Sequence, residues 1–92
     1  MSIVKIYRWA MPTEMHSRFK LDWERITRDV AKGFGQDVAS LFQMENGDFI
    51  SVTVWPDKPS YDKWVAWIMA STEGAEYYPY EKERKDPVAV VL

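Results

Sequence analysis

The sequence predicts an α+β domain whose elements run β-α-β-β-α-β, and three observations carry that prediction. The stretch VASLFQMENGDFISVTVW, Val38 to Trp55, alternates on either side of Asn46-Gly47, as two strands joined by a tight turn do. Apolar residues at Met15, Phe19, Trp23, Ile26 and Val30 recur at spacings of 4, 4, 3 and 4, which is one face of a helix. A second helical stripe, Tyr61, Trp64, Val65 and Ile68, follows the passage Pro56-Asp57-Lys58-Pro59.

The first strand is Ser2 to Trp9. Val4 and Ile6 fall on one side of it, and Ile3, Lys5, Tyr7 and Trp9 on the other. Met11-Pro12-Thr13 breaks the strand. Thr13 suits the N-cap of the first helix, and Glu14 suits its positive end. That helix runs to Lys32, with Glu24 and Arg28 paired one turn apart on its outer side. Leu21 lies off the stripe, exposed or at an interface. Gly33 supplies the left-handed residue that ends the helix.

In the central hairpin a two-residue Asn46-Gly47 turn places Leu41 opposite Val52 and Phe42 opposite Ser51. One face then holds Ala39, Leu41, Gln43, Ile50, Val52 and Val54. The other holds Val38, Ser40, Phe42, Met44, Phe49, Ser51, Thr53 and Trp55. Asp57 is the better N-cap for the second helix, Pro59 fits its first turn, and the helix extends to about Thr72 before Gly74 closes it. Ala75 to Asp86, AEYYPYEKERKD, reads as a connecting loop. Pro87 opens a last strand, Val88 to Leu92.

These elements compose the ferredoxin-like split βαβ arrangement in a single domain, residues 1–92. It has a four-stranded antiparallel sheet, both helices on one face, and the first and third strands in the middle. The aliphatic set suits the helices. That leaves Lys5, Tyr7, Trp9, Phe42, Met44, Phe49 and Trp55 on the open face, too apolar for water. The expectation is a homodimer packed sheet to sheet, with Phe42, Met44, Phe49, Trp55 and Trp9 at the interface.

Of the residues 47% are hydrophobic and 15% aromatic, more large apolar surface than a core of this size comfortably hides, which suits association and a pocket equally. The net charge of −2 comes from mixed residues without a basic stripe, so no nucleic-acid footprint is present. DFISVTVW also lacks the glycine of an RNA-binding strand motif. With no Cys, disulfides, thiol catalysis and Cys-held metals are excluded, and one His with scattered carboxylates makes a poor metal site. Gly33 and Gly35 are a lone pair, not a phosphate loop. The opening MSIVKIYRW has no long apolar core and no run approaches a membrane span, so a cytoplasmic protein without membrane contact is expected.

The length, the element order, the absence of Cys and the passage ISVTVWPDKPSYDKWVAWI resemble the dimeric α+β barrel superfamily. The nearest resemblance within it is to the antibiotic biosynthesis monooxygenase-like family. The shared pattern is a third strand ending in an aromatic residue, a short Pro- or Ser-containing cap, and a helix with Tyr and Trp one turn apart. The resemblance implies a small-molecule pocket in each protomer and, among its enzymes, cofactor-free oxygenation of phenols, haem degradation or lactone isomerisation. No cofactor is expected. Haem degraders in the superfamily use an Asn on the first strand and a His near the end of the second helix. This chain has neither, which disfavours that activity.

Four residues are candidates for the pocket. Trp64 matches the substrate-contacting Trp that the resemblance implies, and its place on the buried stripe suits a core role as well. Trp67 sits beside that stripe, as pocket wall, interface or exposed residue. Tyr7 offers a hydroxyl into a cavity or packs as an aromatic. His16, the only histidine, has a side chain able to act as a general base. No carboxylate is placed by the sequence to orient it, so an idle surface role competes. The functional expectation is a pocket for a small aromatic or polyketide-like compound, in a cofactor-independent monooxygenase. The alternatives are a non-catalytic binding protein of the same fold and a protein interaction module. The catalytic residues are not identified by the sequence.

Overall fold

A computed structural model describes residues 2–72, 74 and 88–91. The expected loop over Ala75 to Asp86 and the proline opening the last strand lie outside the described residues. The elements are β1 (Ile3–Trp9), α1 (His16–Trp23), β2 (Val38–Gln43), β3 (Phe49–Trp55), α2 (Lys58–Ala70) and β4 (Val88–Val91). The strands lie in the order β2-β3-β1-β4, with each neighbouring pair antiparallel.

The helices cover the aromatic face of the sheet, not the aliphatic one. Tyr7, Trp9, Phe49, Ser51, Thr53 and Trp55 are all buried, together with Phe19, Trp23, Ile26, Trp64 and Ile68 from the helical side. The expected assignment of faces is therefore reversed, and the small hydroxyls explain why. Trp23 Nε1 donates to Ser51 Oγ at 3.0 Å, and Trp55 Nε1 donates to Thr53 Oγ1 at 3.1 Å. Ser51 and Thr53 leave room for bulky helix residues and accept the indole protons that burial would otherwise strand. The aliphatic residues Val4, Ile6, Ile50, Val52 and Val54 remain half-buried on the opposite face, where no described element lies over them.

The hairpin register also differs from expectation by one residue. Gln43 faces Phe49, Phe42 faces Ile50 and Leu41 faces Ser51. The turn has three residues. Met44 N–H donates to the Asp48 carbonyl at 2.7 Å, and Gly47 N–H to the Met44 carbonyl at 3.0 Å. Gly47 carries φ +95°, whereas Asn46 does not reach positive φ. A two-residue type I′ turn needs both, so the chain takes the longer turn that ends on a left-handed glycine. Asn46 instead accepts from Asp48 N–H through its side chain at 3.0 Å. The slip turns β2 over: Ala39, Leu41 and Gln43 join the helix side, and Val38, Ser40 and Phe42 the open side.

The first helix is not uniform. A 3₁₀ turn, Thr13–Met15, precedes α1, and a π-helical segment, Glu24–Val30, follows it. Pro12, not Thr13, holds the N-cap position, without a side-chain bond. In the π segment backbone bonds span one more residue, so burial passes to Ile26, Thr27 and Ala31 while Val30 is half-buried. Two carbonyls of the segment accept long-range donors: Ile26 O from Trp64 Nε1 at 3.1 Å and Thr27 O from Gln36 Nε2 at 2.8 Å. Arg28, expected to pair with Glu24, bonds Asp29 through its Nε at 2.9 Å. The helix closes with Gly35 N–H on the Lys32 carbonyl and Gln36 N–H on the Ala31 carbonyl. This is a Schellman cap, with Gly35 at φ +103° in the place expected for Gly33.

α2 begins as expected at Asp57, whose carboxylate accepts from Ser60 N–H at 2.8 Å. It ends at Ala70, two residues short of the expected Thr72; Ser71 is extended, and its Oγ accepts from Gly74 N–H at 2.9 Å.

Candidate functional site

The inward row of β1 carries three different hydrogen-bond donors: Lys5, Tyr7 and Trp9, at the two-residue spacing that puts them on one face. β1 is flanked by β3 and β4, and both helices pack over the face it presents. The Tyr7 hydroxyl is hydrogen-bonded to the Tyr61 hydroxyl from α2. Lys5 Nζ lies 4.5 Å from the centre of the Tyr61 ring, a cation–π contact. Trp55 meets Tyr61 edge-on at 5.5 Å and Trp64 at 5.4 Å, and Tyr61 and Trp64 are 6.0 Å apart. Further along β1, Trp9 packs 5.8 Å from Tyr7 and 5.0 Å from Phe19. Trp9 is only 2% exposed, and its indole N–H has no acceptor among the described residues. Two phenols and an ammonium thus form a polar island among indole rings. Such a setting weakens competition from water and strengthens any hydrogen bond made to a ligand oxygen.

Of the expected pocket residues, Tyr7 and Trp64 meet in this cluster, joined by Tyr61. Trp64 is also bound to Ile26 O, which fixes its ring plane and ties α2 to the π segment. Trp67 packs on Phe34 at 6.4 Å, and His16 packs elsewhere again. His16 Nε2 bonds the Met11 carbonyl at 3.1 Å, its Nδ1 lies 3.4 Å from Gln43 Nε2, and its ring stands edge-on to Phe49 at 5.0 Å. Its ring nitrogens are engaged in joining the start of α1 to the hairpin. Lys5 and Tyr61 were not among the expected pocket residues. The pairing of Lys5 with Thr53 across the strands would have revealed its inward side, had the covered face been known.

The expected interface residues divide. Trp9, Phe49 and Trp55 lie in the core beneath the helices, so they are not available on an open face. Phe42, 57% exposed, lies on the open side of β2, and Met44 is exposed at the hairpin.

A groove of about 400 Å³ runs between α1 and the edge strand β2, floored by Trp23, Leu41 and Phe49 and walled by Lys20, Glu24 and Arg28. Arg28 is engaged with Asp29: their hydrogen bond and charge raise the arginine pKa, and the same hydrogen bond lowers that of Asp29. Among the described residues no group of three His, Asp or Glu side chains converges, and no helix is long and apolar enough to cross a membrane.

No protein-family model matches the chain, and no curated protein matches it in sequence. Solved structures do match in shape. An antibiotic biosynthesis monooxygenase covers 98% of this chain and 95% of its own, with a TM-score of 0.69 and 15% identity. SnoaB, a cofactor-independent oxygenase from Streptomyces nogalater, covers 99% and 92%, with a TM-score of 0.72 and 11% identity. A NIPSNAP domain protein from Burkholderia xenovorans covers 98% and 93%, with a TM-score of 0.66 and 8% identity. The fold that the sequence resembles, that of the antibiotic biosynthesis monooxygenases, is the fold of this chain.

Proposed function

We propose that the protein binds a small aromatic or polyketide-like compound between helices and sheet, beside Tyr7, Tyr61 and Trp64, and oxygenates it without a cofactor. The observation that carries this reading is the Tyr7–Tyr61 hydroxyl pair set among Trp9, Trp55 and Trp64. An aromatic ligand gains stacking surface there, and a hydroxyl on it gains fixed partners. A hydroxy-aromatic with an activated methylene supplies all four electrons itself, as its CH₂ gives up both hydrogens and becomes C=O. Once ionised it reduces O₂, one oxygen becomes the new carbonyl and the other leaves as water. Such chemistry asks the protein to hold the anion and exclude bulk water, rather than to supply a redox group. The likeness in fold to a cofactor-independent oxygenase supports the same reading.

A second reading is a non-catalytic binder with the same pocket. The engagement of His16 by Met11 and Gln43 favours it, because the only histidine is then not placed as a base for the Tyr7–Trp64 cluster. Native mass spectrometry of protein purified from its source tests for a retained small molecule, and Trp64→Ala tests the place. The expected outcome is a bound aromatic compound in the wild type and about tenfold weaker binding in the variant, the scale of one lost stacking partner. Unchanged affinity in a folded variant rejects the pocket.

The protein is further proposed to act as a homodimer through the open sheet face. The residues there are Val4, Ile6, Ile50, Val52 and Val54 with Phe42 at the margin, in place of the aromatic set expected from sequence. Fully burying each contributes about 1.5–3 kcal/mol at most, a scale that offsets the entropy of association.

A further inference from the structure

We infer that Lys5 is the anion-holding residue of this pocket, and that the ligand is an aromatic compound bearing an acidic oxygen. This rests on the reading that a small molecule binds beside Tyr7, Tyr61 and Trp64. Lys5 lies on the helix-covered face of a strand flanked on both sides, opposite the buried Thr53. Its side chain is half-buried, yet no carboxylate is paired with it among the described residues; its contact is with the face of Tyr61. The lysines and arginines paired in ion bridges, such as Lys58 with Asp62 and Arg8 with Asp48, are on the exposed outside. Among the described residues the inward ammonium meets only a ring face, which leaves it able to pair with a ligand anion.

A second observation lies on the same row. The Trp9 indole N–H is buried and has no acceptor among the described residues, where buried donors are otherwise nearly always paired. From Lys5 to Trp9 the strand advances about 13 Å, roughly the span of a fused three-ring molecule with an oxygen substituent at each end. The row therefore offers a charge at one end and a neutral donor at the other. That polarity selects a ligand with an ionised oxygen on the Lys5 side and a neutral acceptor, such as a carbonyl, toward Trp9. Lys5 sets ligand specificity; it moves no proton in this scheme.

The test uses 2-naphthoate and its uncharged counterpart 2-naphthamide, measured at pH 7 by calorimetry with the full chain. The acid is expected to bind about tenfold more tightly than the amide, the advantage of a charge-assisted bond over a neutral one. Lys5→Met should bring the ratio to about one, and Lys5→Arg should restore most of it. Lys5→Gln carries the same expectation as Lys5→Met and keeps a polar tip should the methionine variant fold poorly. Trp64→Ala should weaken both probes alike. Equal binding of the two probes, with Trp64→Ala still weakening both, leaves the pocket standing and overturns the role of Lys5. A preference for the acid that survives Lys5→Met overturns it as well. Failure of both probes to bind overturns the pocket and Lys5 together.

Discussion

The two faces of the sheet are built from neighbouring residues and meet different fates. Trp55 is fully buried under α2, while Val54, one residue earlier, stands half-buried on the uncovered side. The covered face mixes large rings with Ser51 and Thr53. The uncovered face is β-branched at its centre, with Arg8, Ser40 and Phe42 toward its margins. The difference shows that hydrophobicity alone does not decide which side a helix takes. A helix carrying Phe19 and Trp23 needs a surface with gaps and acceptors, and the hydroxyl-bearing face supplies both. The aliphatic face, with no described element over it, is the one that the proposed homodimer would cover.

The largest expected effect breaks the covered face. Trp55→Ala should lower unfolding free energy by about 3–5 kcal/mol in chemical denaturation, independent of protein concentration. Second is the uncovered face. Replacing both Ile6 and Val52 by Asp should weaken self-association at least about a hundredfold in sedimentation, because charges would be buried in an apolar contact. The circular dichroism of the lone chain should be unaltered. A wild-type protein that sediments as a stable monomer at micromolar concentration would remove the homodimer.

How far these faces were legible in the sequence follows from which forces are local. Period-two alternation sorted the β1 and β3 residues correctly, because strand geometry is local. The stripe Phe19, Trp23 and Ile26 and the Asp57 cap were legible for the same reason. The choice of covered face was not, since it depends on how Trp23 and Trp64 fit residues far away in the chain. Asn46-Gly47 signals a turn but not its length, and a one-residue difference reversed β2. The π segment was hidden because the donors to its carbonyls, Trp64 and Gln36, arrive from beyond the helix. The same holds at the site: Tyr7 and Trp64 were found by residue type. Lys5 and Tyr61 were missed because their pairing spans β1 and α2.

Smaller effects sharpen the comparison. Ser51→Ala leaves the Trp23 indole N–H without its acceptor, and about 1–3 kcal/mol of stability should be lost. Val52→Ala, the adjacent change on the other face, should cost less in the monomer and more as protein concentration rises. Gly35→Ala forces a side chain into positive φ and should cost about 1–2 kcal/mol by the same denaturation measurement. The smallest effect is at Asp57. Its carboxyl pKa is lowered by the hydrogen bond from Ser60 N–H. A depressed folded-state pKa means the contribution is present above the ordinary carboxylate pKa and is lost as pH falls through the depressed one. Asp57→Asn should therefore flatten the acid limb of a thermal melting profile while retaining the cap at neutral pH.

The three-residue turn at Glu45, Asn46 and Gly47 makes loop length a design variable with a discrete outcome. Shortening it by a residue would rotate the edge strand half a revolution about its own axis. Phe42 would be driven toward the helices and Leu41 out into solvent. Turn length in this chain therefore selects which of two rows of side chains the sheet margin displays.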